Sequence, residues 1–171
     1  KPSEVFDVGV TAKYLAVVDL WAADHATEVA NIRWFYNPVT TKLEPIGNDG
    51  APWVHELREA VLSSRTWTGE HILRILDDPI MVAAFVRELD RITKTEYLTQ
   101  LKEVIGPAVD RSQKALADEF QNDSRLSPPW AWLEERQKVL RNLLDPSLVA
   151  LAFGRTEAAG IIGTDQVARR R

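Results

Sequence analysis

The stretch NIRWFYNPVTTKLEPIGNDG, Asn31 to Gly50, is where the chain changes its hydrophobic period, and the reading of the fold turns on it. Ile32, Trp34 and Tyr36 alternate with Arg33 and Phe35, and β-branched and aromatic residues in that spacing favour a strand over a helix. Asn37-Pro38 brings turn chemistry, Thr40 and Thr41 lengthen the loop, and Lys42 to Ile46 return as a second strand. Two strands alone are marginal in water, so the hairpin is expected to lie on something apolar, the preceding helix being the nearest candidate. The stretch also carries Asn31 and Asp49 near its two ends, and each is an oxygen donor that a turn or a metal ion can use.

Ahead of it, Val10, Tyr14, Val17, Val18 and Trp21 recur at short helical steps between Asp7 and about Ala23, which predicts an amphipathic helix with Asp7 as its N-cap. The polar segment Asp24 to Ala30 has no clear period and is expected to be a loop or a frayed helix end, where site residues often sit. Beyond Gly50 the pattern is helical nearly throughout. Glu56 to Ser63 reads as a short helix and His71 to Leu76 as another short segment, after which Pro79 opens a helix with Met81, Phe85, Leu89 and Ile92 on one side. Thr93 and Glu96 have the spacing of a capping box for a helix carrying Tyr97, Leu98, Leu101 and Ile105, which Gly106-Pro107 is expected to end. A further helix is expected from Pro107 to Phe120, then a polar break from Asn122 to Pro129, then a last helix defined by Trp130, Leu133, Leu140, Leu143 and Leu144. The fold class that follows is mainly α with one small β-hairpin, over residues 1–145. Residues 146–171, with LVALAFG and AAGIIGTDQVA, read as a connector or as the start of a following domain.

The 171 residues suffice for one domain with a sizeable core. A composition 45% hydrophobic and 27% charged, with a formal net charge of -4, suits a globular protein and gives no reason to expect a nucleic-acid partner. Arg169, Arg170 and Arg171 make a basic end rather than a basic face. Without cysteine, disulfides and thiol catalysis are excluded. No apolar run reaches the roughly 20 residues that cross a bilayer, and KPSEVFDVGV lacks the pattern of a signal peptide. Lys1 in first place and a single Met, Met81, fit a segment of something longer.

No G-x-G-x-x-G, Walker loop, G-x-S-x-G or H-E-x-x-H occurs, and His25, His55 and His71 stand far apart without ligand spacing. The remaining constellation is Asp24, Asn31 and Asp49. Phosphoryl transfer by kinases uses a carboxylate to orient the attacking hydroxyl, an Asn on the metal, and a second carboxylate that bridges metal to phosphates. Along a kinase chain the order is Asp, Asn, hairpin, Asp, and this chain has that order. A plainer reading stands beside it: Asn48-Asp49-Gly50 is ordinary turn chemistry, Asn31 caps the helix or starts the strand, and Asp24 is a solvated loop acid.

The run FDVGVTAKYLAVVDLWAADHATEVANIRWFYNPVTTKLEPIGNDG resembles the catalytic-lobe core of the spore-coat CotH kinase family, atypical relatives of protein kinases. Members open this helix with Phe-Asp and carry an Ala-x-Tyr-Leu-Ala-like stretch, here Ala12, Tyr14, Leu15 and Ala16. A polar loop, an Asn, an aromatic strand, an Asn-Pro or Asp-Pro turn and a segment ending Ile-Pro-Trp-Asp follow in the family. Asn31, Asn37-Pro38 and EPIGND keep that order, which puts Asp49 on the family's metal-binding Asp. WLEERQKVLRNLL resembles the family's late Arg-bearing helix, around Arg136, so that the resemblance spans about Phe6 to Leu144.

That resemblance implies the C-terminal lobe of an atypical protein-kinase-like fold, working with ATP and Mg²⁺ or Mn²⁺. It implies Asn31 and Asp49 as metal and nucleotide ligands, and Asp24 with Asn31 as the catalytic pair. It further implies a separate nucleotide-binding lobe as partner, a protein Ser/Thr acceptor, and an extracellular, cell-surface or spore-coat setting. Such a lobe alone is expected to be nearly inactive and to expose an apolar patch near the hairpin through which copies associate. Several departures matter. Gly47-Asn48 replaces Pro-Trp, and Ala51 stands where a second Asp is common, a loss that weakens divalent-metal binding. Ala26 occupies the position five before the Asn where kinases place their Asp, so Asp24 needs a longer loop and His25 or Glu28 are alternatives for its role. A non-catalytic structural or binding module of a larger surface protein is the alternative these departures favour.

Overall fold

A computed structural model describes residues 1–50, 70–120 and 129–144. Ala51, His55, the expected helix at Glu56 to Ser63, nearly all of the break after Asn122, and the tail 146–171 lie outside the described residues. The described chain is mainly helical with one two-stranded antiparallel sheet. Its elements are α1 (Pro2–Val5), α2 (Val8–Leu20), a 3-10 turn (Asp24–Thr27), β1 (Arg33–Asn37), β2 (Lys42–Ile46), α3 (Glu70–Ile75), α4 (Pro79–Ile92), α5 (Thr95–Glu119) and α6 (Trp130–Leu143).

Asp7 caps α2 by accepting the Val10 N–H at 2.8 Å, as expected. The buried face is not the Val10–Tyr14–Val17 stripe, however. Ala12, Leu15, Ala16 and Leu20 are buried, whereas Val10 and Val17 remain 38% and 40% exposed. The reason is packing: α2 runs against α4, and Ala12 and Ala16, one turn apart, let the two helices approach more closely than valines would. Because α2 is apolar nearly all round, spacing alone does not select a face. From α4 come Met81, Val82, Phe85, Leu89 and Ile92, and Ile72, Leu76, Leu133 and Leu140 complete the core. Each fully buried Leu or Phe there contributes about 1.5–3 kcal/mol.

Pro79 opens α4, as its fixed φ allows, and Asp78 caps it by accepting the Ile80 N–H at 2.9 Å. The other Asp78 oxygen accepts both the Ser3 N–H (2.9 Å) and the Ser3 hydroxyl (2.6 Å), which ties the short α1 to the core. From α1 the chain reaches the sheet: Phe6 bridges Leu43 in parallel, and the Asp7 N–H donates to the Leu43 carbonyl at 2.8 Å. The hairpin register pairs Arg33 with Ile46, Phe35 with Glu44 and Asn37 with Lys42. Asn37 turns the corner by accepting the Val39 N–H at 2.9 Å. The hairpin does rest on apolar residues, but only along one face. Ile32 is buried and the Trp34 ring packs tilted against Phe6, with centroids 4.6 Å apart, whereas Phe35, Tyr36, Val39 and Ile46 are all exposed.

Two helix boundaries differ from expectation. Gly106-Pro107 does not end a helix, since α5 runs unbroken from Thr95 to Glu119. Proline removes one backbone donor, and the helix formers on either side carry the turn through it. Nor does Thr93 form a capping box: its hydroxyl donates back to the Leu89 carbonyl at 2.8 Å, closing α4, and Lys94 becomes the residue before α5. Gln137 on α6 then donates to the carbonyls of Ile92 and Lys94, fixing the α4–α5 corner.

Among the described residues, the largest fully buried side chain is a charged one. Arg136 of α6 is 0% exposed and donates its Nε–H to the Asp19 carbonyl at 2.9 Å, at the end of α2. Burial pushes its pKa down, while the carboxylates of Asp19 and Asp24 oppose that shift. Arg136→Ala leaves the buried carboxylate of Asp19 uncompensated and is expected to lower stability by about 3–5 kcal/mol in urea unfolding. Pro107→Ala is expected to act in the opposite direction, raising the melting temperature by restoring the missing helical bond.

Candidate functional site

The residues singled out from the sequence gather where α2 gives way to the hairpin. Trp21 ends α2 by donating its N–H to the Val17 carbonyl, and Ala22 follows at φ 45°, a left-handed conformation that costs an L-residue roughly 1–2 kcal/mol. That reversal starts the 3-10 turn. The turn is fixed from within by the Thr27 hydroxyl on the Asp24 carbonyl (2.6 Å) and from α2 by the Tyr14 hydroxyl on the Ala26 carbonyl (2.9 Å). Burial raises the Tyr14 pKa, so the phenol stays a donor across the neutral range.

Asn31 reaches back over the turn. Its amide Nδ2 donates to the His25 carbonyl at 3.0 Å and, more weakly, to Glu28 Oε2 at 3.5 Å, while its backbone N–H donates to the Glu28 carbonyl. With both amide hydrogens spent inward, the amide oxygen is the end left to meet a ligand. The hairpin brings Asp49 to the same residue from the other side. Asp49 sits at φ 43° beside Asn48, whose amide donates to the Asn31 carbonyl at 3.2 Å. Its carboxylate lies 3.3 Å from His25 Nε2, and the opposite ring nitrogen of His25 lies 3.1 Å from Glu28 Oε1. Asn31 and Asp49 therefore flank His25, one on its backbone carbonyl and one on its ring.

Asp24 occupies a different position from the other two. One of its carboxylate oxygens is shut off from solvent, and its charge acts on the buried Arg136. Glu28 and Asp49 supply the more accessible carboxylates, with side chains 24% and 56% exposed. An open groove of about 420 Å³ begins at Asp49 and continues between α2 and the end of the hairpin along Tyr14, Val17, Trp21, Ala23 and Asn48. Asp49 lines it and Asn31 does not.

An Asn oxygen and an Asp carboxylate form the hard-oxygen donor set that Mg²⁺ or Mn²⁺ takes, with phosphate and water oxygens completing the shell. Among the described residues, no group of three or more His, Asp or Glu side chains is placed to hold a metal by itself. Also among the described residues, no helix is long and apolar enough to cross a membrane. What spacing could not indicate was the bridging role of His25, because its two ring partners come from different elements. Comparison with protein-family models, with curated proteins and with solved structures gives no match to this chain.

His25 offers a direct check of the geometry. Its hydrogen bond to Glu28, and secondarily the field of Glu28 and Asp49, raise its pKa above 6.5. Pairing with the charged ring is thus fully present below pH 6.5 and is lost as pH rises through the higher folded-state value. In an NMR titration, Glu28→Gln is expected to lower the His25 pKa by more than Asp49→Asn does; the reverse order would show that the ring faces the hairpin first.

Proposed function

We propose that this chain is the carboxy-terminal lobe of a CotH-like phosphotransferase, with Asn31 and Asp49 as the residues that hold Mg²⁺ or Mn²⁺ on the phosphates of ATP. One observation carries the reading: an amide and a carboxylate separated by a whole hairpin converge on the same residue, His25, in the order Asp, Asn, hairpin, Asp. A turn built only for local closure has no need to recruit Asp49 back to residue 25.

In this reading a bound divalent ion neutralises charge on the transferring phosphoryl group. The protein's own contribution is positioning. Asn31 presents its amide oxygen because both amide hydrogens are anchored to the turn, and Asp49 presents a carboxylate at the mouth of the groove. Asp24 takes the family's place for the carboxylate that orients the acceptor hydroxyl, held from behind by the charge of Arg136. Glu28, nearer the surface and against His25, is the other carboxylate within the turn able to accept that hydrogen bond. The acceptor class is a Ser or Thr hydroxyl on a surface, coat or secreted protein, and the nucleotide-covering lobe is a separate part of the complete protein.

A second reading, a non-catalytic module of a larger surface protein, draws support from Ala26. It is buried where kinases carry their Asp, and Tyr14 takes its carbonyl. Titrating the complete protein with ATP and Mg²⁺ while following thermal unfolding separates the two. Binding at one hundred times Kd is expected to add about 2.7 kcal/mol of stability, and Asp49→Ala to abolish the gain. No shift, or a shift that Asp49→Ala leaves intact, overturns the phosphotransferase reading.

A further inference from the structure

Beside the face that packs on α4, α2 carries a second apolar stripe. Tyr14, Val17, Val18 and Trp21 stand at i, i+3, i+4 and i+7 along the helix and its C-cap, the spacing of a single helical face. Val18 is buried, but Val17 is exposed, and the stripe forms one wall of the open groove of about 420 Å³ whose other wall is the chain at residues 47–50. Pockets that hold small ligands or side chains run from roughly 300 to 1,000 Å³. The Tyr14 ring is a fixed part of that wall, since its hydroxyl is committed to the Ala26 carbonyl. Residues 47–50 belong to no helix or strand, so their main-chain N–H and C=O groups stand outside any ladder and can meet an extended backbone laid along the groove.

Among the described residues that line the groove, the formal charge is negative and comes from Asp49. His25 Nε2 meets Oδ2 of that carboxylate at 3.3 Å, which leaves Oδ1 without a partner among the described residues. Glu28 faces the other ring nitrogen at 3.1 Å, and two carboxylates against one imidazole leave negative charge uncompensated at this end whether or not the ring is protonated. An apolar cleft that ends in such a carboxylate complements a chain in which an apolar side chain neighbours a cationic one. We infer that the groove docks an extended peptide segment, with an apolar side chain seated against Val17 and Trp21 and an adjacent Lys or Arg paired with Asp49 Oδ1. With one oxygen open, the point charge of a Lys serves as well as the two-pronged Arg. The inference holds under either reading of the site and needs no metal: the segment belongs to the acceptor protein of a phosphotransferase, or it is the ligand of a binding module.

The test follows the amide and indole NMR signals of the 171-residue chain, in buffer with EDTA, as the capped peptide acetyl-Gly-Leu-Lys-Gly-amide is added. Saturable shifts are expected at the Trp21 indole and at the amides of Asn48, Asp49 and Gly50. Replacing the peptide's Lys by Gln is expected to weaken binding roughly two- to fivefold, as loss of an exposed ion pair does. Replacing its Leu by Gly is expected to cost roughly tenfold. Asp49→Asn is expected to erase the preference for Lys over Gln, and Val17→Ser, at an exposed position, to weaken both peptides alike. No saturable shift up to about 10 mM peptide overturns the docking groove. Shifts confined to residues outside the groove, equal affinity for the Lys and Gln peptides, or a Lys preference that survives Asp49→Asn overturn it as well. Circular dichroism melts check that each variant folds, and the Lys-to-Gln comparison on the unaltered chain decides the charge pairing should Asp49→Asn not fold. Because EDTA keeps metal out, failure here leaves the phosphotransferase reading to the nucleotide titration of the complete protein.

Discussion

A single buried guanidinium sets the frame on which the rest of the structure depends. Arg136 comes from the last described helix, yet its Nε–H satisfies a carbonyl at the end of α2, more than a hundred residues earlier. An arginine with no exposed surface persists only where its charge and its donors are met, so the distance between α6 and the end of α2 has little freedom. Asp19 and Asp24 supply the opposing charge from either side of the point where α2 stops. The arrangement pins the start of the 3-10 turn to the core, although most of the hairpin that follows is half-buried or exposed.

The candidate site is thus a boundary between a rigid part and a lightly held one. On the rigid side are Tyr14, Ala26 and Asn31, fixed by hydrogen bonds to the backbone of the turn. On the other side Asp49 arrives at the end of a hairpin that touches the core through Ile32, Trp34 and the Phe6–Leu43 bridge. Left-handed backbone at Ala22 and at Asp49 marks the two places where the chain is bent to bring these sides together. Strain at such positions is tolerated when the surroundings over-determine the conformation, and here the Arg136 anchor and the His25 contacts do so.

Much of the fold was legible in the sequence because period and punctuation agreed. The change from helical spacing to alternation at Ile32 located the sheet, Asp7 and Pro79 marked helix starts, and the Met81–Phe85–Leu89–Ile92 stripe is buried as read. The failures have physical causes. In α2 Val10 and Val17 looked like part of the inner face with Val18, but only Val18 is buried, and close packing on α4 favoured Ala12 and Ala16. At Thr93 the hydroxyl found the carbonyls behind it rather than the amides ahead. At Pro107 a strong local breaker was outweighed by a long run of helix formers. Of the candidate residues read from the sequence, Asn31 and Asp49 meet at His25, with Glu28 on the other ring nitrogen, whereas Asp24 turns toward Arg136. That geometry was not legible, since no spacing rule says that one ring will join a neighbour three positions on to an acid at the far end of a hairpin.

The way the hairpin is attached sets it apart from the core. Amides in α2 and α4 are locked into a core whose opening needs global unfolding, so their hydrogen exchange reports the stability of the whole domain. The far end of the hairpin, around Asn37 to Lys42, has little apolar cover and is held to α1 chiefly by the Lys42 ammonium, which donates to the carbonyls of Ser3 and Glu4. β2 leads from that tip to its end just ahead of Asp49, so the candidate site sits at the close of the element with the least apolar cover on its outer face.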